Sequence, residues 1–372
     1  MPDVVVVGAG PVGTLLSAEL ARRGVDVAVV ERRRDPAAGS RAIGVHSPVL
    51  AALEASGVTE RLLADARRVR AGEARSGGAL LGVVRFDRLS RRFPFVATLP
   101  QPATRAALAV DAPAPIVGEV EAVRAAPPRV VYRDDAGRHE IAARIIVVAA
   151  GPRSRSLLYR PGAVRVQRFP DRFVMADIPA DGGDAVVHLD RTGVLESFPL
   201  PGGIRRFVAP GPADLSDGAR RASVLRAALE ARGLVTEAAA VAAADGFEIR
   251  RSLAPRLRRG PVLAIGDLAH EVSPMGGQGM NLGLLDALTL APLLTSWIRT
   301  GRAPEDALRR WERRRVASAR ISGATATGNT LLGRPMPAVP NAVRAGVLRA
   351  LLATPAATLL AHAYAMGFDR DA

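Results

Sequence analysis

The apolar residues of this chain fall into a few short unbroken runs separated by stretches with helical spacing. Val4 to Val7 is one such run, the pattern of a parallel strand buried on both faces. Gly8-Ala9-Gly10-Pro11-Val12-Gly13 follows. Val12, Leu15, Leu16 and Leu20 then recur at helical spacing until Gly24 ends the helix. Val25 to Val30 reads as a second strand, closed by Glu31. Gly82 to Phe95 alternates in places and reads as strands of a different sheet. Residues 129–133 and 140–150 read as further strands, residues 165–210 are strand-rich, and residues 217–243 read as one or two alanine-rich helices. Val262 to Ile265 is again a buried strand. Helical patterns then cover roughly 280–298, 304–328 and 340–367, the last broken by Pro355.

Composition narrows the class. The chain has 372 residues, 48% apolar and 23% charged, which suits a globular protein of about two to three domains. No unbroken apolar run reaches the ~18 residues of a membrane span, so stable membrane insertion is not expected. Met1 leads straight into the first strand without a basic segment, so no signal peptide is expected and the cytoplasm is the default compartment. Cysteine is absent. That excludes disulfides, thiolate metal sites and a cysteine nucleophile. The five histidines are scattered without ligand spacing, so no metal is expected.

The formal charge is +15, and all 51 basic residues are arginine. Base stacking needs aromatic residues, yet these make up only 4%, and the arginines are spread along the chain. Attraction of an anionic ligand is the better use of this field, and no nucleic-acid partner is expected. Arg309, Arg310, Arg313, Arg314 and Arg315 read as one solvated helix face.

The strand–turn–helix–strand unit at the N-terminus carries a G-x-G-x-x-G fingerprint in its required context, with an acid about twenty residues on. Gly8 permits the tight turn, Gly10 lets the backbone approach a pyrophosphate, and Gly13 allows helix and strand to pack closely. Pro11 and Val12 open the helix, whose free amides and dipole favour a diphosphate. Glu31 can accept the ribose hydroxyls of an adenosine, and Arg32 follows it. This unit fits NAD and FAD equally well.

A second informative segment runs from Gly266 to Asn281. A buried strand delivers Gly266-Asp267 at its carboxyl end, a rigid turn containing Pro274 follows, and Gly276, Gly277 and Gly279 let the backbone lie close to something flat. A helix is expected to start near Met280-Asn281, with free amides favouring negative charge there.

The G-D-x-A-H-x-x-x-P-x-x-G-Q-G-x-N string of this segment resembles the signature of the FAD-dependent aromatic-ring hydroxylases, the class typified by para-hydroxybenzoate hydroxylase. With the N-terminal unit, the resemblance spans nearly the whole chain. Ser197-Phe198-Pro199-Leu200-Pro201-Gly202-Gly203 is similar to the substrate-sheet region of bacterial members acting on quinones and polyketides. The resemblance implies that Asp267 accepts hydrogen bonds from the ribityl hydroxyls of FAD. It implies that amides near Met280 and Asn281 face the pyrimidine edge of the flavin and stabilise its reduced anion. Pro274 and Gly277 would position the flavin face near the substrate, with no side-chain acid or base assigned. Arg41 sits where the family has a cofactor-contacting arginine, and Gln101 and Arg105 resemble a further flavin-contact segment. One departure stands out: the chain has Ala150-Gly151 where the family usually carries Asp-Gly, and that aspartate helps to hold both FAD and the nicotinamide donor.

The expected architecture is α/β: a doubly wound, Rossmann-type FAD-binding domain with an inserted β-rich substrate domain and C-terminal helices. Residues 1–75, 97–160 and 250–330 form the FAD domain, residues 76–96 and 161–249 the substrate sheet, and residues 331–372 a C-terminal helical segment. That segment is expected to pack back on the FAD domain, and His270 to be structural. The expected function is a monooxygenase using FAD, dioxygen and NAD(P)H as transient reductant. It would hydroxylate or epoxidise a hydrophobic aromatic, quinone or polyketide-like molecule in secondary metabolism. Because there is only one dinucleotide fingerprint, the donor binds transiently over the flavin or a separate protein supplies electrons. The alternatives are a flavin-dependent reductase or dehydrogenase of related fold, and a non-catalytic flavin-binding protein.

Overall fold

The computed structural model describes residues 1–34, 42–88, 90, 92–180, 182–366 and 368–369. Arg41 lies outside the described residues.

The four valines of the first strand, Val4–Val7, are buried on both faces, because they run through the middle of a six-stranded sheet. Val27–Glu31 pairs parallel on one side and Ile145–Val148 parallel on the other. Val262–Ala264 adds parallel to Ile145–Val148, and Ile116–Val117 parallel to Val27–Glu31. The short strand Arg258–Arg259 closes one edge antiparallel. Unbroken Val/Ile runs suit these positions because both faces are covered, one by helices and the other by the three-stranded antiparallel sheet of residues 119–142, whose Val130 and Tyr132 join the same core. The helices Pro11–Arg22 and Gln278–Thr300 pack together over one face. Their approach depends on Gly283, where a Cβ would lie 2.5 Å from Val12 Cγ2 and 3.2 Å from Gly266 Cα. The second helix is long and apolar enough to cross a membrane, but 61% of its apolar window is buried inside the protein.

The other large layer is an eight-stranded sheet. Its order is His270–Glu271, Asp245–Leu253, Val166–Pro179, Ile204–Pro210, Gly193–Leu200, Ala185–Asp190, Ala71–Ser76 and Ala79–Arg85. Neighbours pair antiparallel except Ala185–Asp190 with Ala71–Ser76. Helices Gly218–Glu230 and Val235–Ala240 cover one face through Leu225, Leu229 and Ala238. A three-stranded antiparallel sheet (Glu119–Ala125, Pro128–Asp134, Gly137–Ala142) and a small one (Gly44–Val45, Val96–Thr98, Arg67–Val69) complete the strands. The α/β class is as the sequence implies.

Three expectations change. The stretch from Gly82 to Phe95 is not one set of strands. The strand ends at Arg85, and Phe86, Phe93 and Phe95 are buried outside any strand. These side chains are buried from a connecting loop, not from a pleated strand. Arg315 is not on a solvated face: its side chain is fully buried, in ion pairs described below. The C-terminal helices Ala338–Leu352 and Ala356–Tyr364 pack on the outer strand Ala79–Arg85 of the eight-stranded sheet. Gly82 makes room for Leu352 there, since a Cβ at Gly82 would sit 2.5 Å from Leu352 Cβ. The two helices meet at 99°, because Pro355 follows the first and starts the second.

Candidate active site

The turn after the first strand is built as its glycines demand. Gly8 has φ +103°, and a Cβ there would meet the Ala149 oxygen and Ala150 Cα, both at 2.8 Å. A Cβ on Gly13 would fall 1.9 Å from the Gly8 oxygen. Gly10 differs: it caps the helix with extended backbone, and a Cβ there meets nothing within 4 Å. Pro11 fills the first helical position, where an amide hydrogen is not needed. Gly10 therefore faces open space, a groove of about 440 Å³, large enough for a cofactor fragment. Its walls include Ala9, Gly10, Pro11, Glu31, Gln101 and Arg105. The helix Gln101–Ala109 thus delivers both residues that the family resemblance suggested.

Glu31 ends the second strand with its carboxylate turned back toward the turn. It accepts the Ala9 amide at 2.7 Å and the Arg33 amide at 3.0 Å. Arg32 does not line the groove: its guanidinium lies 3.5 Å from Glu119 on the surface. Arg33 and Arg34 line it instead. The strand ends at Glu31, and past it Arg32 turns to the surface while Arg33 and Arg34 both turn into the groove. Val12 points away from the groove, into the contact with Gly266 and Gly283.

The second segment starts at Gly266, whose φ is +64°. Asp267 follows in a short 3-10 turn and is exposed. Its carbonyl accepts from Arg155 Nη2 at 3.1 Å, and the same nitrogen reaches Ser252 Oγ at 2.6 Å and Glu271 at 2.9 Å. The turn is thereby fastened to the edge of the eight-stranded sheet. The long helix begins at Gln278, earlier than the sequence suggested, because Gly277 adopts φ +66° as its N-cap. The unpaired first-turn amides are those of Gln278, Gly279 and Met280; no side chain caps them. The Asn281 side chain has another job. Its Nδ2 donates to the Gly44 and Gly277 oxygens, both at 2.9 Å, and its Oδ1 accepts the His46 amide at 2.9 Å. Asn281 pins the small sheet to the helix start.

A second cavity opens between this turn and the eight-stranded sheet. Pro274, Met275, Gly276 and Gly277 form one wall with Gly44 and His46. Met175, Glu196, Phe198, Arg206, Val208 and Phe247 form the opposing wall, and Tyr364 comes in from the C-terminal helix. Gln278 Nε2 ties that helix to the turn through the Ala363 and Tyr364 oxygens, at 2.8 and 2.9 Å. Burial holds the His46 imidazole down at about 4, so it is neutral at pH 7.

His270 is structural, as expected. It is fully buried with Nε2 2.6 Å from Asp286 Oδ2. Asp286 also takes the Gly266 amide at 2.9 Å and Arg315 Nε at 2.8 Å. Arg315 Nη1 reaches Asp369 at 2.8 Å. Burial by itself would lower the His270 pKa, but the Asp286 charge and hydrogen bond hold it above the ordinary value. Burial would raise Asp286, and His270 with Arg315 overcome this and hold it below the usual range. The chain His270–Asp286–Arg315–Asp369 locks the Gly266 turn, both long helices and the C-terminus into one unit. Among the described residues no cluster of three or more His, Asp or Glu is placed to hold a metal.

Sequence reasoning missed His46, Glu196, Arg206 and Tyr364. Only Glu196 left a signal: it is a lone charged residue inside the largely apolar strand Gly193-Val194-Leu195-Glu196-Ser197-Phe198.

A strand–glycine turn–helix groove closed by an acid, leading to an apolar cavity beside a glycine-rich helix start, defines a dinucleotide-dependent α/β protein. The chain belongs to the FAD binding domain family, whose model matches residues 1–322, and its cofactor is FAD. It is 32% identical over 371 residues to 6-methylpretetramide 4-monooxygenase of Streptomyces rimosus, covering 93% of this chain and 65% of that protein. It is 32% identical over 350 residues to rifampicin monooxygenase of Rhodococcus hoagii, covering 86% and 69%. It thus spans about two thirds of the length of these curated relatives. Its fold matches the crystal structure of p-nitrophenol 4-monooxygenase from Pseudomonas putida with a TM-score of 0.87, at 22% identity, over 100% of this chain and 98% of that one. The anhydrotetracycline hydroxylase of Streptomyces rimosus gives 0.77 at 26% identity, over 98% and 76%.

Proposed function

We propose that this chain is a flavin-dependent monooxygenase that inserts one oxygen atom of dioxygen into a hydrophobic aromatic, quinone or polyketide-like molecule, with NAD(P)H as reductant. The observation that carries this reading is the pairing of two openings: a polar groove at the Gly8–Gly13 turn and an apolar cavity under Pro274–Gly277. The first suits the adenosine diphosphate part of FAD and the second a flat substrate beside the flavin. The named relatives, monooxygenases of tetracycline-type and rifampicin substrates, support the same class.

In this reading the six-stranded sheet is the cofactor half and the eight-stranded sheet the substrate half. Gly10 and the free amides of the helix it caps would hold the diphosphate, which the helix dipole favours there. Glu31 accepts ribose hydroxyls, Arg33, Arg34 and Arg105 add positive charge at the groove, and Gln101 contributes a polar contact. Asp267 would accept from the ribityl chain, and the uncapped amides of Gln278, Gly279 and Met280 would favour negative charge at the ring edge. When bound, FAD supplies the redox chemistry, accepting a hydride and delivering oxygen. The protein contributes orientation, an apolar cavity wall of Met175, Phe198, Val208 and Phe247, and fixed charge. The cytoplasm is the proposed compartment.

The test is anaerobic. The yellow holoprotein is mixed with NADPH or NADH and a panel of phenols and quinones, and flavin bleaching is followed. Bleaching accelerated by one compound, followed in air by an oxygenated product, supports the reading. Bleaching only with an added reductase assigns electron supply to a separate protein, in line with Ala150 in place of aspartate. A protein that takes up no FAD overturns the reading.

A further inference from the structure

The substrate-side wall of the cavity contains one acid, Glu196, 7% exposed. Its place follows from strand register. Glu196 lies opposite Val208, which lies opposite Met175, so the three form one row across the sheet. Phe198, two residues along the same strand, shares its face and pairs with Arg206. All five residues line the cavity, and the Pro274–Gly277 turn faces them. The acid is therefore built into the surface on which a flat molecule would rest. Among the described residues its carboxyl makes no hydrogen bond or ion pair.

The charged and titratable groups that line the cavity with it are Arg206, His46 and Tyr364. None is a cation available to it. Arg206 is held by Asp177 through two hydrogen bonds of 2.6 Å. His46 is neutral, since burial keeps it at about 4. Burial, and secondarily the Glu196 charge, push the Tyr364 phenol above its ordinary value, so it too is neutral. An ionised carboxylate here would be desolvated without a counter-charge.

We propose that Glu196 recognises the substrate as a neutral carboxylic acid donating a hydrogen bond, and that the molecule it selects is uncharged and carries a carbonyl or quinone oxygen. The proposal rests on the monooxygenase reading and deepens it by naming the substrate class. A carboxylate substrate would meet no free cation on this wall, whereas a ketone oxygen meets a donor that has no other partner. Burial alone pushes the Glu196 carboxyl up to about 8, so the donor form is present at neutral pH and lost in mild alkali.

The test uses the oxidised FAD holoprotein and two probes of similar shape, neutral 1,4-naphthoquinone and anionic 1-naphthoate. Binding is read as the change in the flavin absorption spectrum from pH 6 to 10. The expected result is preference for the quinone and about tenfold or greater loss of its affinity as pH rises through 8. Glu196→Gln, which keeps a donor of the same shape but does not titrate, binds the quinone with no pH dependence. Glu196→Ala binds weakly throughout. Native binding that is flat with pH overturns the proposal, as does a Glu196→Gln variant as weak as Glu196→Ala. Naphthoate binding as tight as quinone binding does the same, and so does a holoprotein blind to every neutral probe. Substrate-stimulated flavin bleaching, measured alongside, separates the two readings: if it persists while the pH dependence is absent, only the role of Glu196 falls.

Discussion

Replacing Gly10 or Gly13 with alanine adds one methyl group three residues apart in the same turn, yet the structure assigns the two changes opposite consequences. At Gly13 the new carbon would lie 1.9 Å from the Gly8 oxygen, when ordinary contact is well over 3 Å. Gly8 cannot retreat. Its amide is bonded to the Val30 oxygen at 2.8 Å, and its own Cβ position is already closed off by Ala149 and Ala150. The helix must therefore move by more than an ångström against the sheet, into its packing with the helix Gln278–Thr300. Overpacking of this kind costs about 3 kcal/mol or more. At Gly10 the backbone is extended and the methyl meets no protein atom within 4 Å, so apoprotein stability should change by less than ~0.5 kcal/mol. The methyl instead enters the groove over the helix amides. Losing about two charge-assisted hydrogen bonds to a diphosphate there costs about 3 kcal/mol, roughly a hundredfold in FAD affinity. The assay is paired: urea denaturation of the apoprotein, and FAD titration by flavin fluorescence. Gly13→Ala should fail both, and Gly10→Ala only the second. A Gly10→Ala protein that holds FAD as tightly as the native one would refute the placement of the diphosphate on this turn.

Two further outcomes concern the buried charges. Arg315→Met leaves Asp286 and Asp369 buried with one partner fewer, which should cost about 3–5 kcal/mol in chemical denaturation. Adding Asp369→Asn should recover part of that loss, and a single-variant loss under about 1 kcal/mol would mean that the ion pairs do not hold the helices. The His46 imidazole is depressed from 6.5 to about 4, so the unfolded chain takes up a proton before the folded one does. Stability from this group is full above pH 6.5 and lost as pH falls toward 4, about 3 kcal/mol in all. His46→Asn should flatten that acid limb in denaturation curves taken across this range, whereas an unchanged slope would place the titration elsewhere.

The sequence by itself determined the parts of this protein that depend on local chemistry. Unbroken valine and isoleucine runs specify central parallel strands because both faces must be apolar. The spacing of Gly8, Gly10 and Gly13 specifies a turn in which two of the three positions have no room for a side chain, and this is legible without knowing what surrounds them. The glycine and proline pattern at 266–281 was legible for the same reason, although the helix starts at Gln278, capped by Gly277, and not near Met280. Tertiary structure alone decided which charges are buried and what shares the cavity. Arg315 looks like its neighbours in sequence and is the one turned inward, because only its position on the helix faces Asp286 and Asp369. Arg32 and Arg33 are adjacent in sequence, and the side taken by each follows from where the second strand ends. His46, Glu196 and Tyr364 come from three distant segments. They meet because the small sheet, the substrate sheet and the C-terminal helix converge on the Pro274–Gly277 turn. Side chains that act through long-range packing leave no period in the chain, and the substrate is read by such side chains.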